Sequence, residues 1–378
     1  MTKTMTTTFY NTILKYSWNE IKKDIYSKTK NDVIKALNKD NCNIEDFKAL
    51  ISPAAEPFLE EMAIKSHFKT QKRFGKTIQL YIPLYLSNKC TNSCVYCGFN
   101  KNLKYNRITL NDNEIINEAL AIKNMGFKHV LLVTGEHPES NFEYIKKAIK
   151  LIKYLFSQIS IEVAPLDTYQ YVDLINEGLH SVYIYQETYN IEKYHIFHPS
   201  GKKSNFKYRI ETPDRLGLAG IYKIGLGCLL GLDDWRVDTF FTALHIDYLK
   251  RKYWQTRYSV SFPRLRPHAG NFQPHYVVTD KNLVQIICAY RLYDENLEMT
   301  LSTRESKKFR DNAIKVGITS MSAGSKTYPG GYNLNYNQLQ QFEIDDNRSP
   351  EEIIKVIKNN GYEPLWKDWD RIIMLKNK

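Results

Sequence analysis

Between about residue 77 and residue 321 the chain repeats one theme: a short β-branched or aromatic run, an amphipathic stretch, then another run. Eight runs can be counted: Thr77 to Leu84, His129 to Thr134, Ser160 to Ala164, Ser181 to Gln186, Tyr222 to Leu226, Arg257 to Phe262, Glu298 to Ser302 and Ile318 to Met321. Strands that alternate with helices are joined by right-handed crossovers and lie parallel, so a closed (β/α)8 barrel and a doubly wound open sheet both fit the local pattern. The count of eight predicts the TIM-type barrel. Helical patterns fall between the runs at Glu143 to Phe156, Asp238 to Tyr253, Lys281 to Tyr293 and Lys307 to Val316. Asn111 with Glu114 reads as a capping box, and Gly126 and Gly178 as helix stops ahead of the second and fourth strands.

The flanks differ from this core. Residues 1–75 read as a helical N-terminal extension, clearest at Glu45 to Leu50 and Pro57 to Phe68, and are expected to cap the barrel. Residues 76–325 make the barrel, and 326–378 a tail that completes it, with a helix from Ser349 to Asn359 behind the cap Ser349-x-x-Glu352. With 43% hydrophobic and 13% aromatic residues the chain can bury a sizeable core. No window of about 18 apolar residues predicts a membrane span, and the start from Met1 to Met5 lacks a signal-peptide core. Six cysteines clustered only once suit a reducing compartment, so a cytoplasmic location is expected. The net charge is +12, but Lys and Arg are scattered among acids, which argues against nucleic acid and permits an acidic electron-transfer partner.

Cys90-Thr-Asn-Ser-Cys94-Val-Tyr96-Cys97 follows the first predicted strand, on the barrel face where active sites sit. Three thiolates in eight residues can wrap one cubic [4Fe-4S] cluster. They leave one iron open to chelate the amino and carboxylate groups of S-adenosylmethionine. The competing readings are a zinc site, which wants a fourth ligand such as His129 or His137, and inert buried thiols. Cys42, Cys228 and Cys288 stand singly and read as core or surface residues.

Other polar groups collect at predicted strand ends: Val133-Thr134-Gly135-Glu136, Tyr185-Gln186-Glu187-Thr188-Tyr189, Ser261 to Pro267, Leu301-Ser-Thr-Arg304-Glu305, and Ser320-Met-Ser322-Ala-Gly324-Ser. Arg215 lies beyond the fourth strand in Thr212-Pro-Asp-Arg215. An arginine facing inward at a strand end can hold a carboxylate in a bidentate fork.

The cysteine motif, with an aromatic before its last cysteine, resembles the signature of the radical S-adenosylmethionine superfamily, and Thr134-Gly135-Glu136 resembles its Gly-Gly-Glu element with Thr134 in place of Gly. Together with the Tyr185, Ser261, Leu301 and Ser322 runs, these segments resemble the 2-iminoacetate synthase family over nearly the whole chain. These are the tyrosine lyases of thiamine thiazole biosynthesis. The resemblance implies that S-adenosylmethionine is cleaved to methionine and 5'-deoxyadenosine. It also implies that L-tyrosine is split at Cα–Cβ to 2-iminoacetate and 4-methylphenol. It places Tyr96, Thr134, Gly135, Glu136 and Arg215 on S-adenosylmethionine, and Arg304 with Ser322 on the tyrosine carboxylate. Gln186, Glu187 and Tyr189 would lie around the nucleoside or the substrate amine. Thiazole synthase and a flavodoxin or ferredoxin are the implied partners.

The nearest competitor is the tyrosine-cleaving hydrogenase maturase, whose second cluster needs cysteines in a C-terminal extension; the last cysteine here is Cys288. Other radical amino-acid lyases are more distant, and a non-catalytic iron-sulfur scaffold would not require these polar strand ends.

Overall fold

A computed structural model describes residues 7–367 apart from 335 and 337; Met1 to Met5 and the last residues of the predicted tail lie outside that range. Eight strands, β1 (Thr77–Ser87), β2 (His129–Thr134), β3 (Gln158–Glu162), β4 (Leu179–Tyr183), β5 (Lys223–Gly227), β6 (Arg257–Ser261), β7 (Glu298–Leu301) and β8 (Ser320–Ser322), form one parallel sheet. Pairing of β1 with both β2 and β8 closes the barrel and excludes the open sheet. A ninth strand, β9 (Glu363–Leu365), adds to β1 from outside the ring.

Helices α1 (Phe9–Ile13), α2 (Trp18–Ser27), α3 (Lys30–Leu37), α4 (Ile44–Leu50) and α5 (Leu59–Phe74) precede the barrel. Around it run α6 (Asp112–Asn124), α7 (Phe142–Ile152), α8 (Thr168–Glu177), α9 (Tyr194–Phe197), α10 (Phe206–Ile210), α11 (Thr212–Leu218), α12 (Trp235–Lys252), α13 (Asp280–Tyr293) and α14 (Lys307–Ala313), and α15 (Pro350–Asn359) follows. Asn111 and Glu114 form the capping box of α6, as do Ser349 and Glu352 for α15. Gly178 ends α8 at φ 114°, a left-handed conformation that favours glycine.

The first helices, expected to cap the barrel, cover one side of it. They pack on its flank, α4 and α5 against α13 and α2 against α12. Ser66 of α5 donates to Val316 O and His67 Nδ1 lies 2.8 Å from Lys315 O, both ahead of β8, at the face opposite the cysteines. The cause is apolar: Phe47 packs on Tyr290 and Tyr293 of α13, and Met62 is fully buried.

The barrel interior is layered. Near the strand starts, polar pairs fill it: Gln79 with Gln158 at 3.0 Å, Ser160 with Ser181 at 2.7 Å, and Lys223 with Glu298 at 2.7 Å. Each of these side chains is hydrogen-bonded to a partner, which is the condition for placing such groups in a core. The other end stays open, and the loops after β1 and β2 meet there because the two strands are parallel neighbours.

Candidate active site

That adjacency builds the first wall of a cavity at the C-terminal ends of the strands. Gly135 N donates to Ser87 O at 3.1 Å, and Thr91 N to Glu136 O at 2.9 Å, so the cysteine loop and residues 134–136 run side by side. A Cβ at Gly135 would run into Lys89 O and the Cβ of Cys90. Glycine is required there by the close approach of two backbones.

Cys90, Cys94 and Cys97 all border this cavity, with Tyr96, Thr134, Gly135 and Glu136. Phe99 N points at Cys97 Sγ at 3.4 Å and Asn92 Nδ2 at Cys90 Sγ at 3.6 Å, the donor pattern that suits thiolates. Burial, then the neighbouring cysteines, pushes the Cys97 thiol up to about 12, a cost that metal ligation would remove. Thr134 Oγ1 is buried without a hydrogen-bond partner. The residues present therefore fit a cluster carried by three cysteines with a polar ligand beside it.

The zinc reading finds no support. Among the described residues no three His, Cys, Asp or Glu side chains converge as a single-ion site. His129 Nε2 sits 2.7 Å from Ser160 at the strand starts, and His137 Nδ1 accepts from Glu139 N at 3.2 Å; neither lines the cavity.

The cysteine loop is clamped by residues 197–203. Val95 N donates to Phe197 O at 3.1 Å and Ser93 N to Ser200 O at 3.2 Å. His198 Nδ1 faces Tyr194 O at 2.8 Å and must donate to it. Its Nε2 therefore accepts from the Tyr96 hydroxyl at 2.7 Å. Burial holds this imidazole well below its ordinary value, hence neutral.

Charges gather farther in. Glu187 stands at φ 70°, a left-handed conformation costly for a non-glycine residue and often met at functional sites. It pairs with Lys203 at 2.7 Å and approaches Arg209 at 3.7 Å. Arg209 donates to Tyr185 O through Nε at 2.8 Å and through Nη2.

Arginines after β6 and β7 divide by partner. Arg264 is spent on Glu305 and on Asp280, and Arg266 on Asp345 at 3.2 Å. Arg304 makes no ion pair among the described residues: its guanidinium lies 3.3 Å from the centre of the Phe342 ring and donates to Arg264 O at 3.3 Å. Ser322 borders the cavity with it, its hydroxyl accepting from Thr303 N at 3.1 Å. Burial draws Arg304 below its ordinary value, so the site favours an anion that would compensate the charge. The cavity holds about 1600 Å³ of space including its mouth.

Of the predicted residues, Tyr96, Thr134, Gly135, Glu136, Glu187, Arg304 and Ser322 line the cavity with the three cysteines. Three do not. Arg215 faces the loop after β3, donating to Leu166 O at 2.9 Å and Tyr208 O at 2.7 Å while stacking 3.9 Å over the Tyr208 ring. The arginine of this stretch that reaches the cavity is Arg209. Tyr189 lies in a layer behind, its hydroxyl 3.1 Å from His245 Nδ1, and Gln186 is buried outside the lining.

Sequence reasoning also passed over Glu162, Asn92, Gln341 and Phe342. Glu162 ends β3, and an acid closing a parallel strand in a barrel is the signal that was available. Burial, then the Glu187 charge, lifts its carboxyl to about 7. Gln341 accepts from Tyr85 OH at 2.6 Å and, through its carbonyl, from Gly98 N at 2.8 Å, which lays the tail against the cysteine loop.

Comparison with known proteins agrees with this geometry. Residues 84–244 match the radical SAM superfamily, and residues 261–363 match the Biotin and Thiamin Synthesis associated domain. The chain is 46% identical over 365 residues to the 2-iminoacetate synthase of Escherichia coli (strain K12), covering 96% of this chain and 97% of that protein. The crystal structure of HydG, a maturase of the [FeFe]-hydrogenase, superposes with a TM-score of 0.87 at 32% identity, covering 92% of this chain and 80% of that one. Methylornithine synthase shares the fold at a TM-score of 0.71 and 19% identity, over 88% of this chain and 97% of that one.

Proposed function

The chain belongs to the 2-iminoacetate synthase family of radical S-adenosylmethionine proteins, and from that premise we propose that it cleaves L-tyrosine at Cα–Cβ to 2-iminoacetate and 4-methylphenol. Its cofactors are a [4Fe-4S] cluster and S-adenosylmethionine. Bound here, they supply a 5'-deoxyadenosyl radical that takes a hydrogen atom from the substrate, with methionine as co-product.

Cys90, Cys94 and Cys97 hold the cluster. Thr134, Gly135 and Glu136 receive the amino end of S-adenosylmethionine, with Tyr96 buttressing the cysteine loop through His198. Arg304 binds the tyrosine carboxylate and Ser322 supplies a hydroxyl beside it. Glu187, paired with Lys203 and Arg209, and Glu162 set the charge balance around the substrate amine. Gln186 and Tyr189 support the Glu187 turn from behind, and Arg215 fixes the wall that carries Tyr208. The barrel and the tail residues Gln341 and Phe342, which border its open end, keep water from a radical and from a hydrolysable imine.

The observation that carries this reading is the half-buried Arg304, a cation with no carboxylate of its own among the described residues. Tyramine, which is tyrosine without the carboxylate, tests it. Under turnover, tyramine is expected to be neither cleaved nor inhibitory at concentrations where tyrosine saturates; equal competition by the two would contradict the assignment.

The imine product calls for a consumer close at hand, and thiazole synthase is the proposed one. A flavodoxin or ferredoxin is the proposed reductant, and the cytoplasm the proposed location. Among the described residues no helix is long and apolar enough to cross a membrane.

A further inference from the structure

Asn92 lies inside the cysteine motif and is almost fully buried. Its carboxamide makes three directed contacts. Lys203 N donates to Oδ1 at 3.0 Å, which fixes the orientation of the group, since a backbone N–H can face only the oxygen. The amide NH2 then points the other way, donating to Glu136 Oε2 at 2.8 Å and toward Cys90 Sγ at 3.6 Å. Two hydrogens on one nitrogen thus serve two anionic groups. The backbone of Asn92 is engaged as well, its carbonyl accepting from Lys101 N at 2.9 Å. A Cβ at Gly201 would collide with Oδ1, so the facing loop is shaped around this side chain.

We propose that Asn92 is a positioning residue that ties the Cys90 thiolate to the Glu136 carboxylate and so couples the cluster's potential to S-adenosylmethionine binding. This rests on the reading that the three cysteines carry the cluster and that Glu136 receives S-adenosylmethionine; it does not depend on tyrosine being the substrate. A donor aimed at a ligand sulfur stabilises the reduced, more negative cluster and raises its potential. The same amide holds Oε2 of Glu136, a residue that lines the cavity. Through Lys203 N the amide also fixes the backbone that carries the Lys203–Glu187 pair at 2.7 Å.

Asn92→Asp is the sharpest variant. It keeps the acceptor for Lys203 N and the side-chain shape, but replaces the donor by an anionic oxygen that faces Glu136 and Cys90. Should that variant fold poorly, Asn92→Ala removes the donor without adding charge and must show the same two changes. Two readouts on the reconstituted protein separate this role from simple structural support: the midpoint potential of the cluster without S-adenosylmethionine, by an EPR-monitored titration, and the equilibrium affinity for S-adenosylmethionine.

The expected result is an unchanged iron content, a potential shifted to more negative values, and an affinity about tenfold weaker, the size of one charge-assisted hydrogen bond. An intact cluster with the potential and affinity of the unaltered protein would overturn the inference alone. Failure of the unaltered protein to take up a cluster or bind S-adenosylmethionine would instead overturn the reading it rests on.

Discussion

The guanidinium of Arg304 lies on the face of Phe342, 3.3 Å from the ring centre, joining the end of β7 to the tail. The aromatic face stabilises the cation without neutralising it, so the charge stays available to a substrate carboxylate. Arg304→Ala is expected to raise the KM for tyrosine at least tenfold while S-adenosylmethionine is still cleaved without the organic product. Arg304→Lys keeps the charge but loses the planar fork, and should fall between the two. Steady-state kinetics with both products quantified checks this; an unchanged KM in the alanine variant would remove Arg304 from the substrate.

Gly135→Ala brings a methyl group against Lys89 O and Cys90. Residues 134–136 must then part from the cysteine loop, so iron content after reconstitution and affinity for S-adenosylmethionine both fall. Gly178→Ala is the comparison: at φ 114° it meets no atom within 4 Å. It should cost about 1 kcal/mol of stability and leave the cofactors alone. Iron assays and thermal melts of the two variants decide the matter.

Glu162 carries the clearest pH signature. Burial lifts its carboxyl from the ordinary 4.5 to about 7, helped by the Glu187 charge and opposed by Arg304, Lys203 and Arg209. Its folded value lies above its unfolded one, so the folded chain binds more protons in that interval. This contribution to stability is present below about pH 4.5 and lost as pH rises through 7. Glu162→Gln removes that loss, and its thermal midpoint should exceed the parent's at pH 8 while converging with it near pH 4. Parallel pH profiles for the two proteins would contradict the shift.

Arg310 is wholly buried, paired with Asp346 and donating to Ser322 O. Replacing it with Met strips a buried pair of its cation, although Arg348 still reaches Asp346 at 2.7 Å. The expected loss of stability is about 3 kcal/mol, read by denaturant unfolding. Because Arg310 holds the strand that presents Ser322, tyrosine affinity should weaken as well. A variant as stable as the parent would show that Arg348 suffices.

The parts legible in the sequence are those where one local signal decides. Most strands of the barrel appear as short apolar runs rich in β-branched residues, as buried parallel strands favour. The cysteine motif is legible because its ligands are contiguous and follow the first strand. What escaped depends on direction. Arg209 and Arg215 are six residues apart, but the helices α10 and α11 break at Glu211, so no continuous phase tells which arginine turns inward. Tyr189 follows Glu187 by two residues, yet the left-handed backbone at Glu187 sends their side chains to different layers. Phe342 and Gln341 belong to an irregular stretch whose place over the cavity is set by tertiary contacts with Arg304, Tyr85 and Gly98. The N-terminal helices showed their apolar faces but not the surface that would cover them, which proved to be α12 and α13.

The most direct test is anaerobic turnover of the iron- and sulfide-reconstituted protein with dithionite, S-adenosylmethionine and L-tyrosine, following 5'-deoxyadenosine and 4-methylphenol by chromatography. The account predicts that both products form together and that 4-methylphenol disappears when tyrosine is omitted. Deoxyadenosine without 4-methylphenol, from a protein with an intact cluster, would contradict tyrosine as the substrate.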